Sequence, residues 1–189
     1  MKEMRLFIAV ALSPEMKQAL TRVAGLLAAR VPAGSIRWVQ PDLRHLTLRF
    51  LGETAVSKLD MIEQTMDKAA QQQSPLSLHL QEIGCFPHAR RPRVVWAGLA
   101  GQVAELAAFK SMLDVGLQPL GWEPEKRPFI PHITLGRVKN AGKLRGVSWA
   151  GEMEAVQLEI TAVSLIESQL SPQGPRYTTR HISQFAAEV

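Results

Sequence analysis

The stretch Pro131-His132-Ile133-Thr134-Leu135 has a counterpart in Leu43-Arg44-His45-Leu46-Thr47-Leu48. Both read His-apolar-Thr-apolar. Side chains of an extended strand alternate between faces, so each copy puts an imidazole and a hydroxyl on one face and two apolar side chains on the other. Each reads as a strand backed by a core. One such tetrad says little, because a lone histidine most often serves structure. Two copies, at matching places in two similar half-chains, point to a shared site.

The flanks repeat as well. Residues 6–12 form an apolar run of strand length. Ser13-Pro14 supplies an N-cap and a first-turn proline for a helix over 14–30, with Met16, Ala19, Leu20, Val23, Leu26 and Leu27 at helical spacing. Pro32-Ala33-Gly34 ends it. Residues 36–39 predict a short strand and 45–51 the first motif strand. Gly52 is expected to break that strand, and Thr54 to cap a helix running to Gln73. Residues 76–83 alternate as a strand. In the second half the order recurs: a strand over 94–99, a helix over 102–117, a Gly- and Pro-rich connection, the second motif strand, a basic loop, one strand over 156–166 and a closing strand over 177–185. Leu6 precedes His45 by 39 positions, and Val94 precedes His132 by 38. The expected fold class is α+β and bilobal: two pseudo-twofold-related lobes of mainly antiparallel sheet, with flanking helices, around a central cleft. Residues 1–189 form a single domain with duplicated halves of roughly 1–85 and 93–189, joined by a crossover over 86–93.

Of the 189 residues, 46% are hydrophobic, enough for a substantial core, and the formal net charge of +5 favours phosphate-bearing partners. The single Cys85 excludes an internal disulfide and a cysteine-rich zinc site, and fits a reducing compartment. Lys2 and Arg5 ahead of an apolar run imitate a secretory leader. The run is short, Glu3 is misplaced, and Pro14 reads as a helix start. No run approaches the roughly 20 apolar residues of a membrane span. A cytoplasmic monomer with no membrane partner is expected.

Imidazole titrates near neutrality, so one histidine can accept a proton while the other donates one. Across one cleft, two imidazoles can activate a nucleophile on one side of a phosphorus and protonate the leaving oxygen on the other. The hydroxyls of Thr47 and Thr134, on the same faces, can hydrogen-bond the non-bridging oxygens. Neither motif has a carboxylate or thiol at ligand spacing, and threonine is a poor zinc ligand, so neither a metal nor a cofactor is expected. No glycine-rich P-loop is present.

These residues resemble the two-histidine phosphoesterases, specifically the RNA 2',3'-cyclic phosphodiesterases, also called 2'-5' RNA ligases. The resemblance rests on Arg5-Leu6-Phe7-Ile8-Ala9-Val10, on the first motif with Phe50-Leu51-Gly52-Glu53, on Val94-Val95-Trp96, and on Arg127-Pro128-Phe129-Ile130 leading into the second motif with Arg137. It implies hydrolysis of a terminal RNA 2',3'-cyclic phosphate to a 2'-phosphate without metal, with His45 as proton donor and His132 as proton acceptor, and reversible 2'-5' ligation where an RNA 5'-hydroxyl takes part instead of water. The implied partners are RNA 3' ends bearing that group, or related nucleotides. Arg137 takes a site role from the resemblance; its strand parity is opposite to that of His132 and Thr134, and Gly136 would permit a bulge that re-aims it. Arg49 shares the parity of His45 and Thr47 and is expected in the same cleft. Arg127 is expected to contact RNA or brace the motif loop, and Phe7 either to stack on a base or to join the core behind its apolar strand. Arg90, Arg91, Arg93, Lys139, Lys143 and Arg145 either track an RNA backbone or form an ordinary solvated surface. His181-Ile182-Ser183-Gln184 fits the motif formally but lacks its apolar backing. Two rival readings remain: a phosphodiesterase for a small cyclic nucleotide or 2'-5' oligonucleotide, and a non-catalytic RNA- or nucleotide-binding module.

Overall fold

The computed structural model describes residues 2–149, 153–172 and 174–187. Its strands are β1 (Glu3–Val10), β2 (Ile36–Trp38), β3 (Leu46–Ala55), β4 (Leu76–Phe86), β5 (Val94–Gly101), β6 (His132–Val138), β7 (Gln157–Ile160), β8 (Ala162–Ser171) and β9 (Gly174–Gln184). The helices are α1 (Pro14–Ala28), α2 (Leu59–Ala70) and α3 (Val103–Leu117). Among the described residues all strands join one antiparallel sheet in the order β7-β4-β5-β6-β3-β1-β8-β9, with β2 also paired to β6. β7 and β8 are far apart in that order, yet only Thr161 separates them in the chain. Consecutive Cα atoms are about 3.8 Å apart, so the sheet must curl until those two strands meet end to end.

The two lobes are the two sides of this curled sheet. Each half of the chain lends its last strand or strands to the other side: β4 pairs with β5, whereas β8 and β9 extend from β1. The expected single strand over 156–166 is therefore two strands that serve opposite sides.

One face of the sheet is the core. Leu6, Ile8 and Val10 of β1, Leu46 and Leu48 of β3, and Ile133 and Leu135 of β6 pack with Met16 and Leu20 of α1, Ile62 and Met66 of α2, and Phe109 and Leu113 of α3. Burying each such side chain is worth about 1.5–3 kcal/mol. Ser13 caps α1 as its position predicts, its hydroxyl oxygen accepting from Met16 N at 3.1 Å. No helix among the described residues is long and apolar enough to cross a membrane.

Two local expectations are corrected. Gly52 does not end the first motif strand: at φ 72° it sits in a bulge opposite Leu6, and β3 runs on to Ala55 against β1. Glycine tolerates that left-handed conformation, which lets the strand kink without losing its pairing. Thr54 is consequently buried within β3, its hydroxyl donating to Gly52 O at 3.1 Å, and α2 begins only at Leu59 after a short 3-10 turn.

Candidate active site

The two motif strands meet directly. β3 and β6 pair antiparallel through Leu46 and Ile133, both fully buried. In the register set by that pair, His45 comes level with Thr134 and Thr47 with His132, all four on the face away from the helices. The four side chains named by the repeat thus form a crossed square about a local twofold.

Each imidazole is held in the same way. His45 Nδ1 lies 2.9 Å from Leu43 O, and His132 Nδ1 lies 2.7 Å from Ile130 O. A carbonyl oxygen only accepts, so Nδ1 carries the proton and donates in both. In the neutral ring Nε2 is then the unprotonated nitrogen, available to the open face. Each ring also lies against two aromatic side chains. Phe7 and Tyr177 have ring centroids 4.7 and 5.5 Å from His45. Phe86 and Trp96 are 4.9 and 6.0 Å from His132. Burial among these rings lowers both imidazole pKa values below the ordinary one, and the Nδ1 hydrogen bonds partly offset that. His45 is lowered further by the positive charges of His132 and Arg137.

A bulge follows each motif at the same place. Against β1, Ala9 pairs with Thr47 but Ile8 pairs with Arg49, so Leu48 is the extra residue. Against β5, Trp96 pairs with Thr134 but Val95 pairs with Gly136, so Leu135 is extra. Each bulge reverses the parity beyond it. Arg137 therefore turns to the open face, where its charge reaches His45 and Tyr177. The same inversion removes Arg49 from the site. It is 6% exposed on the helix side, 3.4 Å from Asp114 Oδ1 and 3.9 Å from Glu125 Oε1, and it donates to Glu123 O. Lys110 completes this cluster, 2.7 Å from Asp114 Oδ2 and 3.1 Å from Glu125 Oε2. Arg49 thus ties the back of the first motif strand to the connection that leads into the second. Trp122 Nε1 donates to Leu51 O at 2.9 Å and Lys58 Nζ to Leu120 O at 2.7 Å, pinning the same connection.

Phe7 is 3% exposed, in a small cluster with Ala9 and Ile166 beside Tyr177. It backs His45 and presents no open face for a base. Phe50, 62% exposed and 6.0 Å from Phe7, is the open ring on that side. Arg127 is exposed in the connection before β6 and makes no hydrogen bond or ion pair among the described residues. Tyr177, Phe86 and Trp96 escaped the sequence reading as site residues, because nothing in their spacing ties them to either histidine. Phe50 had a readable signal: superposing the two motifs sets Phe50 on Arg137 and Arg49 on Gly136.

The remaining nucleophiles lie apart. Burial pushes the Cys85 thiol up to about 11. His181 belongs to a strut between β9 and α2, with Nε2 2.8 Å from Asp67 Oδ1, an oxygen that also accepts from Ser183 Oγ at 2.7 Å. Among the described residues no three His, Cys, Asp or Glu side chains gather as a metal site.

Two imidazoles with free Nε2 atoms, two hydroxyls and a guanidinium share one open face, the residue set expected of a two-histidine phosphoesterase. The family model described as LigT-like phosphoesterase matches residues 10–96 and 98–177, and the chain belongs to that family. It is 31% identical over 186 residues to the RNA 2',3'-cyclic phosphodiesterase of Methanothermobacter thermautotrophicus, covering 95% of this chain and 98% of the relative. The enzyme of that name from Archaeoglobus fulgidus is 31% identical over 176 residues, covering 92% and 96%. The fold matches a crystal structure of a Thermus thermophilus protein with a TM-score of 0.83 at 29% identity, covering 98% of this chain and all of that one. It also matches Escherichia coli LigT complexed with 3'-AMP, at a TM-score of 0.74 and 27% identity, covering 97% and 99%.

Proposed function

We propose that this protein hydrolyses the 2',3'-cyclic phosphate at RNA 3' ends to a 2'-phosphate. His132 Nε2 takes a proton from water as the water oxygen bonds to phosphorus. The bond from phosphorus to the 3'-oxygen breaks, and His45 Nε2 delivers its proton to that departing oxygen. Thr47 and Thr134 donate to the non-bridging oxygens, and Arg137 offsets their charge. The geometry treats the two imidazoles alike; the direction of proton flow follows the family resemblance. With an RNA 5'-hydroxyl attacking in place of water, the same displacement forms a 2'-5' linkage, and its reversal cleaves that linkage.

One observation carries this reading: both Nδ1 atoms are committed to backbone carbonyls, which leaves both Nε2 atoms free on strands paired through Leu46 and Ile133. The names of the relatives supply the substrate class. His45→Ala and His132→Ala variants, assayed in EDTA on a short RNA ending in a cyclic phosphate, test it. Each loses about 10²–10⁴-fold in kcat and keeps most of its RNA affinity, because acid–base groups act in the transition state. Loss of affinity in step with turnover, with the fold intact, would make the cleft a binding module.

A further inference from the structure

In the antiparallel pair of β2 and β6, Arg37 stands directly opposite Arg137. Their neighbours fix the face. Ile36 and Trp38 pack on the core, and a Cβ added to Gly136 would lie 2.6 Å from Ile36 Cγ2 and 3.1 Å from Trp38 Cε3. Ile36, Trp38 and Gly136 therefore share the helix side, and Arg37 shares the open face with Arg137. Like charges directly opposite on a sheet are unfavourable. No carboxylate among the described residues pairs with either guanidinium. The backbone holds Arg37 in place nonetheless: Val39 N donates to Leu135 O and Lys139 N to Ser35 O, both at 2.8 Å, so bonds bracket the short strand at both ends.

We infer that Arg37 is a second phosphate-binding residue, which takes the phosphodiester on the 5' side of the terminal nucleotide while Arg137 attends the cyclic phosphate. The inference rests on the proposed function and adds to it a preference for oligonucleotides over mononucleotides. Adjacent strands are about 4.8 Å apart, so the two guanidiniums reach neighbouring anions from one rigid ladder. An anion between them also relieves their mutual repulsion. A 2',3'-cyclic mononucleotide without a 5'-phosphate offers nothing to Arg37.

The test compares Arg37→Gln with the unchanged protein on a 2',3'-cyclic mononucleotide and on a short RNA ending in the same group. The ratio of kcat/KM for RNA to that for the mononucleotide falls about tenfold in Arg37→Gln, mostly through KM, as loss of a charge-assisted hydrogen bond implies. The salt dependence of RNA binding becomes shallower by about 0.7 in log–log slope, one phosphate contact on a single strand. Arg37→Lys recovers part of the ratio. Equal losses on both substrates would place Arg37 at the cyclic phosphate and overturn the inference, and so would no loss on either. Binding of the product RNA with its 2'-phosphate separates the two levels. If the unchanged protein turns over neither substrate but binds this RNA more tightly than Arg37→Gln does, the phosphate contact stands and the hydrolase reading fails.

Discussion

Leu46 and Ile133 are paired across the junction of β3 and β6, and each is the residue that follows a motif histidine. This contact converts a repeat in the chain into a site in space. Both side chains are fully buried, so the pair anchors the motifs from behind while His45 and His132 stand in front. The tautomers, the titration and the mutational sensitivity of the site follow from this arrangement and its supports.

Both motif histidines should be Nδ1-protonated when neutral. Leu43 O and Ile130 O accept from Nδ1, which reverses the usual preference of free imidazole for Nε2–H. Long-range ¹H–¹⁵N correlation spectra above the imidazole pKa check this. Nε2 of both residues should resonate as the unprotonated nitrogen. A protonated Nε2 in either neutral ring would undo the assignment of free bases to the open face.

The pH profile follows from burial. Both imidazole pKa values lie below the ordinary value of about 6.5, His45 being also pressed down by His132 and Arg137. The proposed acid–base pair needs one proton between the two imidazoles, so both limbs of kcat/KM should fall on the acid side of neutrality, as macroscopic values of the pair. A bound phosphate stabilises imidazolium, so the alkaline limb of kcat should sit at higher pH than that of kcat/KM. Stability has the matching sign. As pH falls below about 6.5 the unfolded chain takes up protons first, and the stability present at neutral pH is lost as pH drops through the folded values. Replacing both histidines with alanine should flatten that loss. A kcat/KM profile with no limb on the acid side of neutrality would contradict the pairing.

Arg49→Met should cost about 3–5 kcal/mol, the usual result of removing one partner from a buried ion network. Its guanidinium is buried beside Asp114 and shares Glu125 with Lys110. Urea denaturation measures the change. A shift under about 0.5 kcal/mol, typical of a surface position, would mean that the network does not hold the connection before His132.

Gly84 leaves room for the indole that seats His132. A Cβ there would lie 2.1 Å from Trp96 Cζ2 and 2.2 Å from Cη2, so the ring must move. Gly84→Ala should lose about 1–3 kcal/mol of stability through overpacking, and should lower kcat because Trp96 packs near His132. Adding Trp96→Phe, which trims the clashing ring, should restore part of both. Unchanged stability and kcat in Gly84→Ala would show that Trp96 has no part in seating the imidazole.

Much of this was legible in the chain. The His-x-Thr repeat, the apolar backing of each copy and the capped α1 depend on period and local chemistry, which sequence carries directly. The bulges at Leu48 and Leu135 do not show in a period-2 reading, and they decide where Arg49 and Arg137 point. Gly136 hinted at the second bulge; Leu48-Arg49 carries no such hint. The aromatic support is a tertiary matter. Tyr177 reaches His45 because β8 and β9 cross to the side of β1, and Phe86 reaches His132 because β4 crosses to the side of β5. In the chain, Arg37 is only one residue of a short strand. Its importance appears once its partner in the ladder is known.

The most direct measurement is the product of one turnover. Purified protein in EDTA is mixed with a short RNA ending in a 2',3'-cyclic phosphate, in water enriched in ¹⁸O, beside a His132→Ala control. Hydrolysis through His132 should give a terminal 2'-phosphate carrying one solvent oxygen, formed by the unchanged protein and not by the control at a comparable rate. A 3'-phosphate product, or equal rates with and without His132, would contradict it.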